Sequence, residues 1–380
     1  MKFKKKVAIL TTHNVDNYGA ILQTYSTFNY IKQISDPIII NFENPMFKPS
    51  LKLIRYSGLS SYKSCIKDIL RIRSRYSLIK KFREFIKDNL NLTSKVSREK
   101  LNSLDFLNNF DVLLVGSDQV WNPDITNIKK KLNSDYFFET DTSEKIRKIS
   151  YASSFGGKNF QTGELEKINT YLKKFYKISV REENTLRFLN QENQKKAQSV
   201  LDPVFLTEKK SWQEMANKSN VLTNVKNNDY ILVYSVVRSK MIKVITGQIK
   251  KNTNFKIITI DPNLLANTNN DKKVSNAGPI DFLSLFSNAS FIVTDSFHGS
   301  AFSLIFEKKF LTIASDVKYS NRIIDLLNNI GCEKNIILKQ SESQDLEDIE
   351  KYKISEQSKI KLDELILKSK NFIDEAILSN

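Results

Sequence analysis

Two turns in this sequence hold side chains that could do chemistry, around His298 and around Asp118. The chain has only 2 histidines. One of them stands in Phe291-Ile-Val-Thr-Asp-Ser-Phe-His-Gly-Ser-Ala-Phe-Ser-Leu304, which reads as a buried strand, a polar turn and a helix opening near His298 and Gly299. A helix start offers unpaired backbone N–H groups at the positive end of its dipole, a natural seat for an anion. Gly299 would let a ligand approach the backbone, and an imidazole there could trade a proton with a bound phosphate. The plainer alternative is a strand–turn–helix unit in which Asp295 or Ser296 caps the helix.

Asp118 belongs to Phe110-Asp-Val-Leu-Leu-Val-Gly-Ser-Asp-Gln-Val-Trp-Asn-Pro123. Val112–Val115 reads as a buried strand, and Gly116 to Gln119 as the turn at its carboxyl end, the edge where open α/β sheets bind ligands. Asp118 is therefore a candidate base or hydroxyl-binding group, its alternative role being an Asx hydrogen bond that braces the turn. Trp121 suits stacking on a sugar ring and equally suits a core. His13 ends the first strand and reads as a loop residue or a ligand contact.

These residues need a scaffold, and the spacing supplies one. Lys6–Thr12 reads as a first buried strand, Asn14–Gly19 as a turn, and Ala20 onward as a helix, an opening βα unit without the Gly-x-Gly-x-x-Gly fingerprint. Further strands are expected at Pro37–Asn41, within Lys148–Gly156, where it ends in small residues, and at Lys177–Val180, and Val200–Phe205 closes a first domain. A second series has strands at Tyr230–Val237, Phe255–Ile260, Phe291–Val293 and Lys309–Ile313, with a helix beginning at Arg322. Glu356–Leu378 reads as one amphipathic helix with Ile360, Leu365, Ile366, Ile373 and Ile377 on one side. The expected fold is two doubly wound, Rossmann-like α/β domains, 1–205 and 206–380, facing across a cleft and closed by the C-terminal helix. A basic insert at about 48–100 belongs, on this reading, to the first domain. Its stretch Lys48–Asp88 carries 12 Lys or Arg against 3 acids, with apolar residues at helical spacing. Such a segment could lie on an anionic membrane or form a solvated outer face.

Composition narrows the classes. A 40% hydrophobic fraction with no apolar run near the ~20 residues of a membrane span indicates a folded protein without a spanning helix. Val7–Leu10 is too short for a signal-peptide core, so a cytoplasmic protein is expected. Cys65 and Cys332 lie far apart and make neither a metal signature nor a disulfide framework, so no metal is expected. The net charge of +17 favours anionic partners: nucleic acid, lipid headgroups or phosphorylated substrates. No nucleic-acid module is recognisable, so nucleic acid is not expected as a partner.

Taken together, Gly116-Ser-Asp-Gln-Val-Trp121, Ser150-Tyr-Ala-Ser153, Ser179-Val-Arg-Glu182, Leu201-Asp-Pro203 and Thr294-Asp-Ser-Phe-His-Gly299 resemble the polysaccharide pyruvyl transferase family. The Asn14–Gln23 loop and helix, and Arg322 before Leu326-Leu327, match its pattern too. The resemblance implies a GT-B-like fold and a reaction. A carboxyvinyl unit passes from phosphoenolpyruvate to sugar hydroxyls and leaves a pyruvate ketal on a cell-surface glycan, with no cofactor. It further implies His298 as general acid and Asp118 as base. Arg181, Arg238, Ser296, Gly299, Ser300 and Arg322 would bind the donor, and Asn17, Gln119, Trp121 and Asn122 the acceptor. The acceptor would be a saccharide, lipid-linked if the basic segment holds the enzyme at the inner membrane face. Family members that resemble the better-known enzymes carry an arginine two residues before the histidine; here that place is Ser296, so Arg322 or Arg238 must compensate or the donor differs. Competing readings are a GT-B-type glycosyltransferase using a nucleotide-activated sugar and a non-catalytic protein that binds anionic surfaces. The motifs specify neither the acceptor sugar nor an oligomeric state.

Overall fold

A run such as Val7–Leu10 has no polar face to turn to water, so it forms a strand only inside a parallel sheet covered on both sides. In the computed structural model, which describes residues 4–47, 50–54, 62–223, 229–262, 270–314, 317–338 and 346–379, it does so as β1 (Lys6–Leu10). There follow α1 (Tyr18–Ile34), β2 (Asp36–Ile39), α2 (Tyr62–Leu70), α3 (Ile72–Asn89), β3 (Val112–Val115) and β4 (Arg147–Ser150). Next come α4 (Thr162–Lys173), β5 (Ile178–Val180), β6 (Ala197–Ser199) and α5 (Lys209–Ala216). The second series comprises β7 (Tyr230–Tyr234), α6 (Met241–Thr253), β8 (Lys256–Ile260), β9 (Lys272–Val274), α7 (Pro279–Asn288) and β10 (Phe291–Thr294). It ends with α8 (Phe297–Ile305), β11 (Lys309–Ile313), α9 (Val317–Asn329), β12 (Ile336–Ile337) and α10 (Glu356–Leu378).

The chain forms two compact units: residues 1–51, 86–207 and 364–380, and residues 52–85 and 208–363. The first holds a four-stranded parallel sheet in the order β2-β1-β3-β4, with β5 and β6 as a separate pair. The second holds a six-stranded parallel sheet in the order β12-β11-β10-β7-β8-β9. Each sheet reverses its winding once. In the first, β2 lies on one side of β1 and β3 on the other; in the second, β8 and β9 lie on one side of β7 and β10 on the other. The carboxyl ends of β1 and β3, and of β7 and β10, are therefore the topological switch points, where a crevice opens between diverging loops.

The units divide the chain differently from the sequence expectation at two places. Helices α2 and α3 provide most of the 52–85 segment, which packs with the second unit instead of the first. Leu78, Ile79, Phe82 and Phe85 of α3 are buried, and part of the helices' charge is spent on the second unit. Lys81 Nζ meets Asp281 Oδ2 at 2.6 Å, Ser74 Oγ meets Ser275 Oγ at 2.8 Å, and Arg71 Nη1 donates to the Pro262 carbonyl at 2.7 Å. Gly278 permits this approach, because a Cβ there would lie 2.5 Å from Lys81 Cβ. The other departure is α10, whose residues from Glu364 onward join the first unit. Its buried face is Leu362, Ser369, Phe372, Ile373, Ala376 and Ile377, whereas Ile360, expected on that face, is 60% exposed. Tyr30 Oη donates to Asp374 at 3.0 Å and Leu201 N–H to Ser369 Oγ at 2.9 Å, tying α10 to α1 and to the Leu201 segment.

Candidate functional site

At the β7–β10 switch point, strand β10 ends in Thr294, and its hydroxyl holds the edge together by donating to the Tyr234 carbonyl (2.7 Å) and accepting from Ser296 N–H (3.1 Å). Ser296 is the N-cap of α8, its side chain accepting from Gly299 N–H at 3.4 Å, as its extended backbone allows. His298 follows in the first turn and is partly exposed. Its ring stands perpendicular to that of Phe297 with centroids 5.3 Å apart. The Arg322 guanidinium lies 5.8 Å over the same Phe297 ring. An imidazole and a guanidinium thus gather around Phe297 at the positive end of α8. Arg322 reaches this place from the second turn of α9, not from a helix start, because α9 begins at Val317.

Two residues of this turn have roles other than those expected. Gly299 is required by the strand beneath the helix, since a Cβ there would lie 2.1 Å from Thr294 Oγ1. The close approach it permits is that of helix on strand. Ser300, expected to bind the donor, is fully buried and spends its hydroxyl on the Ser296 carbonyl (3.1 Å) and Thr312 Oγ1 (2.8 Å), so it braces α8 against β11.

Asp295 organises the other wall. Its buried carboxylate accepts from the N–H groups of Val236 (2.6 Å), Val237 (3.2 Å), Arg238 (2.9 Å) and Ser239 (3.4 Å), and from Ser235 Oγ (2.6 Å). Successive N–H groups turned toward one point make an anion nest, here filled by the protein itself. The loop pays a local strain for it: Arg238 has φ +62°, a left-handed conformation that is uncommon without glycine. The Arg238 side chain pairs with Asp261 at 3.1 Å. Sequence reasoning assigned Asp295 only to the helix cap, because its partners sit on a distant strand end.

The β1–β3 switch point in the first unit gathers a second set. Thr11 Oγ1 donates to the Ser117 carbonyl at 3.2 Å, and Gly116 leaves no room for a side chain beside Thr11, with a Cβ 2.7 Å from Thr11 Cβ. Asp118 follows with φ +72°, and Ala152, beyond β4, has φ +50°. The Asp118 carboxylate lies 3.6 Å from Arg181 Nη2. Arg181 is not placed to bind a ligand by itself. It is buried, 2.5 Å from Asp202 Oδ2 and 3.9 Å from Glu182 Oε1. Burial disfavours its charge, but Asp202, Glu182 and Asp118 outweigh that and raise its pKa above the ordinary arginine value. Arg181 therefore braces Asp118, in a different unit from His298.

Trp121 is a correction. It is 1% exposed, stacks on Phe137 with centroids 5.2 Å apart and planes 8° off parallel, and donates from Nε1 to the Tyr136 carbonyl at 2.9 Å. An indole with both its face and its N–H used in the core offers nothing to a sugar. Gln119 accepts from Asn122 Nδ2 at 2.7 Å, and Asn122 caps the turn at Asp124 N–H (3.0 Å). Asn17 is exposed and caps α1 by accepting from Ala20 N–H at 3.2 Å.

His13 is buried, with Nδ1 3.2 Å from the Thr11 carbonyl and Nε2 3.2 Å from the Asn41 side chain. Burial lowers its pKa, against the two hydrogen bonds to Thr11 and Asn41, which favour the charged ring. Gln23 on α1 and Ser117 after β3 are fully buried, and among the described residues the Gln23 amide and the Ser117 hydroxyl have no hydrogen-bond partner. Orphaned buried polar groups are costly, which marks them as candidate ligand contacts.

Compared with known proteins, a family model described as polysaccharide pyruvyl transferase matches residues 17–317. No curated protein matches significantly. Among solved structures, S. aureus MnaA, determined with UDP, superposes with a TM-score of 0.51 at 11% identity, covering 98% of this chain and 96% of that one. The UDP-GlcNAc 2-epimerase from Neisseria meningitidis, bound to UDP-GlcNAc, gives a TM-score of 0.48 at 13% identity, covering 96% of this chain and 100% of that one. At such identities only the fold is shared, and the MnaA match identifies it as an α/β fold of the GT-B type.

Proposed function

The chain belongs to the polysaccharide pyruvyl transferase family, and from that premise we propose that it transfers the carboxyvinyl unit of phosphoenolpyruvate to a saccharide. The carrying observation is the β7–β10 switch point, where His298 and Arg322 flank Phe297 at the start of α8. A small donor with a phosphate and a carboxylate suits a helix N-terminus with a guanidinium beside it. Arg322 is the arginine we assign to the donor in place of the charge missing at Ser296, because its guanidinium lies over Phe297 at the start of α8.

In the proposed reaction His298 delivers a proton to the methylene carbon of the donor, making C2 electrophilic, and a sugar hydroxyl adds to C2. The C2–O bond to phosphate then breaks, phosphate leaves with the electron pair, and a second hydroxyl closes the ketal. The hydroxyl protons need a base, and Asp118, held by Arg181, is our candidate in the first unit. Asn17, Gln119 and Asn122 are proposed acceptor contacts, supported by the orphaned polar atoms of Gln23 and Ser117 in that unit. We take the acceptor to be a lipid-linked precursor of a capsule or exopolysaccharide, met on the cytoplasmic side.

One observation favours a second reading. Ser296 leaves the α8 start with a neutral cap, which also suits the diphosphate of a nucleotide-activated sugar, and MnaA on the same fold was solved with UDP. The test is phosphate release from phosphoenolpyruvate with lipid-linked saccharides, run beside nucleotide-sugar turnover. Acceptor-dependent phosphate release supports the transfer of pyruvate. Nucleotide-sugar turnover without it would replace that reading by the second.

A further inference from the structure

The elbow between α2 and α3 carries large apolar side chains that the fold leaves in water. Ile66, Ile69 and Leu70 recur at helical spacing on α2, and Ile72 and Tyr76 on α3; Leu70 is 67% exposed and Tyr76 62%. Isolated exposed apolar residues are ordinary, but five within eleven positions of one elbow make a patch, and patches of this kind mark interaction sites.

The charge around the patch is mainly positive. From Tyr62 to Arg83 the only acid is Asp68, and the next one, Glu84, is exposed and lies 3.7 Å from Lys80. Asp68 is fully buried and bound by Arg71 Nη2 at 2.7 Å, so its charge is neutralised beneath the surface. Arg73, Lys80 and Arg83 are exposed on the same helices. The elbow also borders a cleft of about 460 Å³ in which Leu70 and Ile72 stand beside Arg71, Arg73 and Lys273, with the Ser74 and Ser275 hydroxyls. Apolar side chains, cations and hydroxyls within one cleft match the junction of an acyl chain with an anionic headgroup.

We propose that the α2–α3 elbow docks this protein onto the surface of an anionic phospholipid membrane. Ile69, Leu70, Ile72 and Tyr76 enter the headgroup–acyl boundary, while Arg73, Lys80 and Lys273 face the lipid phosphates. Among the described residues no helix is long and apolar enough to cross a membrane, so the contact is peripheral. Charge complementarity selects the occupant: a protein partner would have to be acidic and apolar together, whereas an anionic bilayer is both everywhere on its surface. The inference goes beyond the proposed transfer reaction and does not depend on it.

The test is co-sedimentation of the full chain with vesicles of phosphatidylcholine alone, or with about one-third phosphatidylglycerol. Wild-type protein is expected to bind only the anionic vesicles, and to release as salt rises. Arg73→Glu with Lys80→Glu should weaken binding roughly 25-fold or more, about fivefold for each lost cation. Ile69→Ser with Leu70→Ser should weaken it with little change in salt dependence. All four side chains are exposed, so unchanged melting temperatures are expected, and the wild-type salt titration remains informative should one variant fold poorly. Absent wild-type binding, or equal binding by the charge-reversed protein, overturns the proposal. So does a wild-type dimer that Leu70→Ser dissociates, since the face would then meet a second copy.

Discussion

Replacing Asp295 by asparagine keeps the shape of the side chain and removes one acceptor oxygen. In the native protein Oδ1 serves the N–H groups of Val236 and Val237, while Oδ2 serves Ser235 Oγ and the N–H groups of Arg238 and Ser239. The amide can offer its oxygen to one set and must turn its NH2 toward the other. At least two donors near a buried edge then lose their acceptor, and a charge-assisted set becomes neutral. Hydrogen bonds to charged groups contribute about 1.5–3 kcal/mol, and stranded donors cost about 1–3, so non-additive losses of roughly 2–4 kcal/mol are expected. For a unit of this size that lowers the melting temperature by roughly 4–16 °C. The local signature is stronger than the global one. Amide exchange at Val236–Ser239 should accelerate far more than in β7 itself, since the carboxylate holds the loop and not the strand. Donor affinity should fall with it, because the loop walls the β7–β10 crevice. Exchange at wild-type rates, with a melting shift under about 1 °C, would show that the loop holds its left-handed turn without the carboxylate.

His298→Asn preserves much of the size and hydrogen bonding of the ring without a titrating proton; kcat should fall by roughly 10²–10⁴ with little change in melting temperature, and near-normal turnover would make His298 a structural turn residue. Arg322→Lys keeps the charge beside Phe297 but loses the planar fork, so donor binding should weaken by about 1–3 kcal/mol, read by titration calorimetry; unchanged affinity places Arg322 outside the donor site. His13 predicts a pH dependence of stability. Its pKa is lowered in the folded state, so below the ordinary 6.5 the unfolded chain binds the proton more readily, and stability falls as pH drops through that value. Denaturant titrations between pH 7 and pH 5 should show the loss, and His13→Gln should flatten it; an unchanged slope would assign the loss to other groups.

Most of the local structure was legible in the residues alone. Strand β3 and helix α10 begin and end where hydrophobic spacing put them, because burial on both faces or on one stripe writes its period directly into the chain. The Ser296 cap was readable for the same reason: a hydroxyl three residues before the N–H it accepts from is a short-range signal. The family motifs from Gly116 to Gly299 were legible too and fall within the match over residues 17–317, whereas Arg322 lies beyond it.

Tertiary structure decided everything that depends on a distant partner. Parallel strands are joined by crossovers instead of tight turns, so nothing local says that β3 lies beside β1, or β10 beside β7. The switch points that define both candidate sites exist only once those neighbours are set. An aspartate looks the same whether it caps its own helix or, as Asp295 does, gathers the N–H groups of another strand's loop. Trp121 and Ser300 have the composition of ligand contacts, yet their faces are taken by Phe137 and Thr312. The basic helices were recognisable as amphipathic, but their apolar stripe could not name the surface it would cover. The pairing of Lys81 with Asp281, 200 positions along the chain, assigned them to the second unit. Sequence determined which segments become strand, helix and cap, because those choices are settled within a few residues. Which of them meet was decided only by packing, because the energies that join them act between side chains the sequence holds far apart.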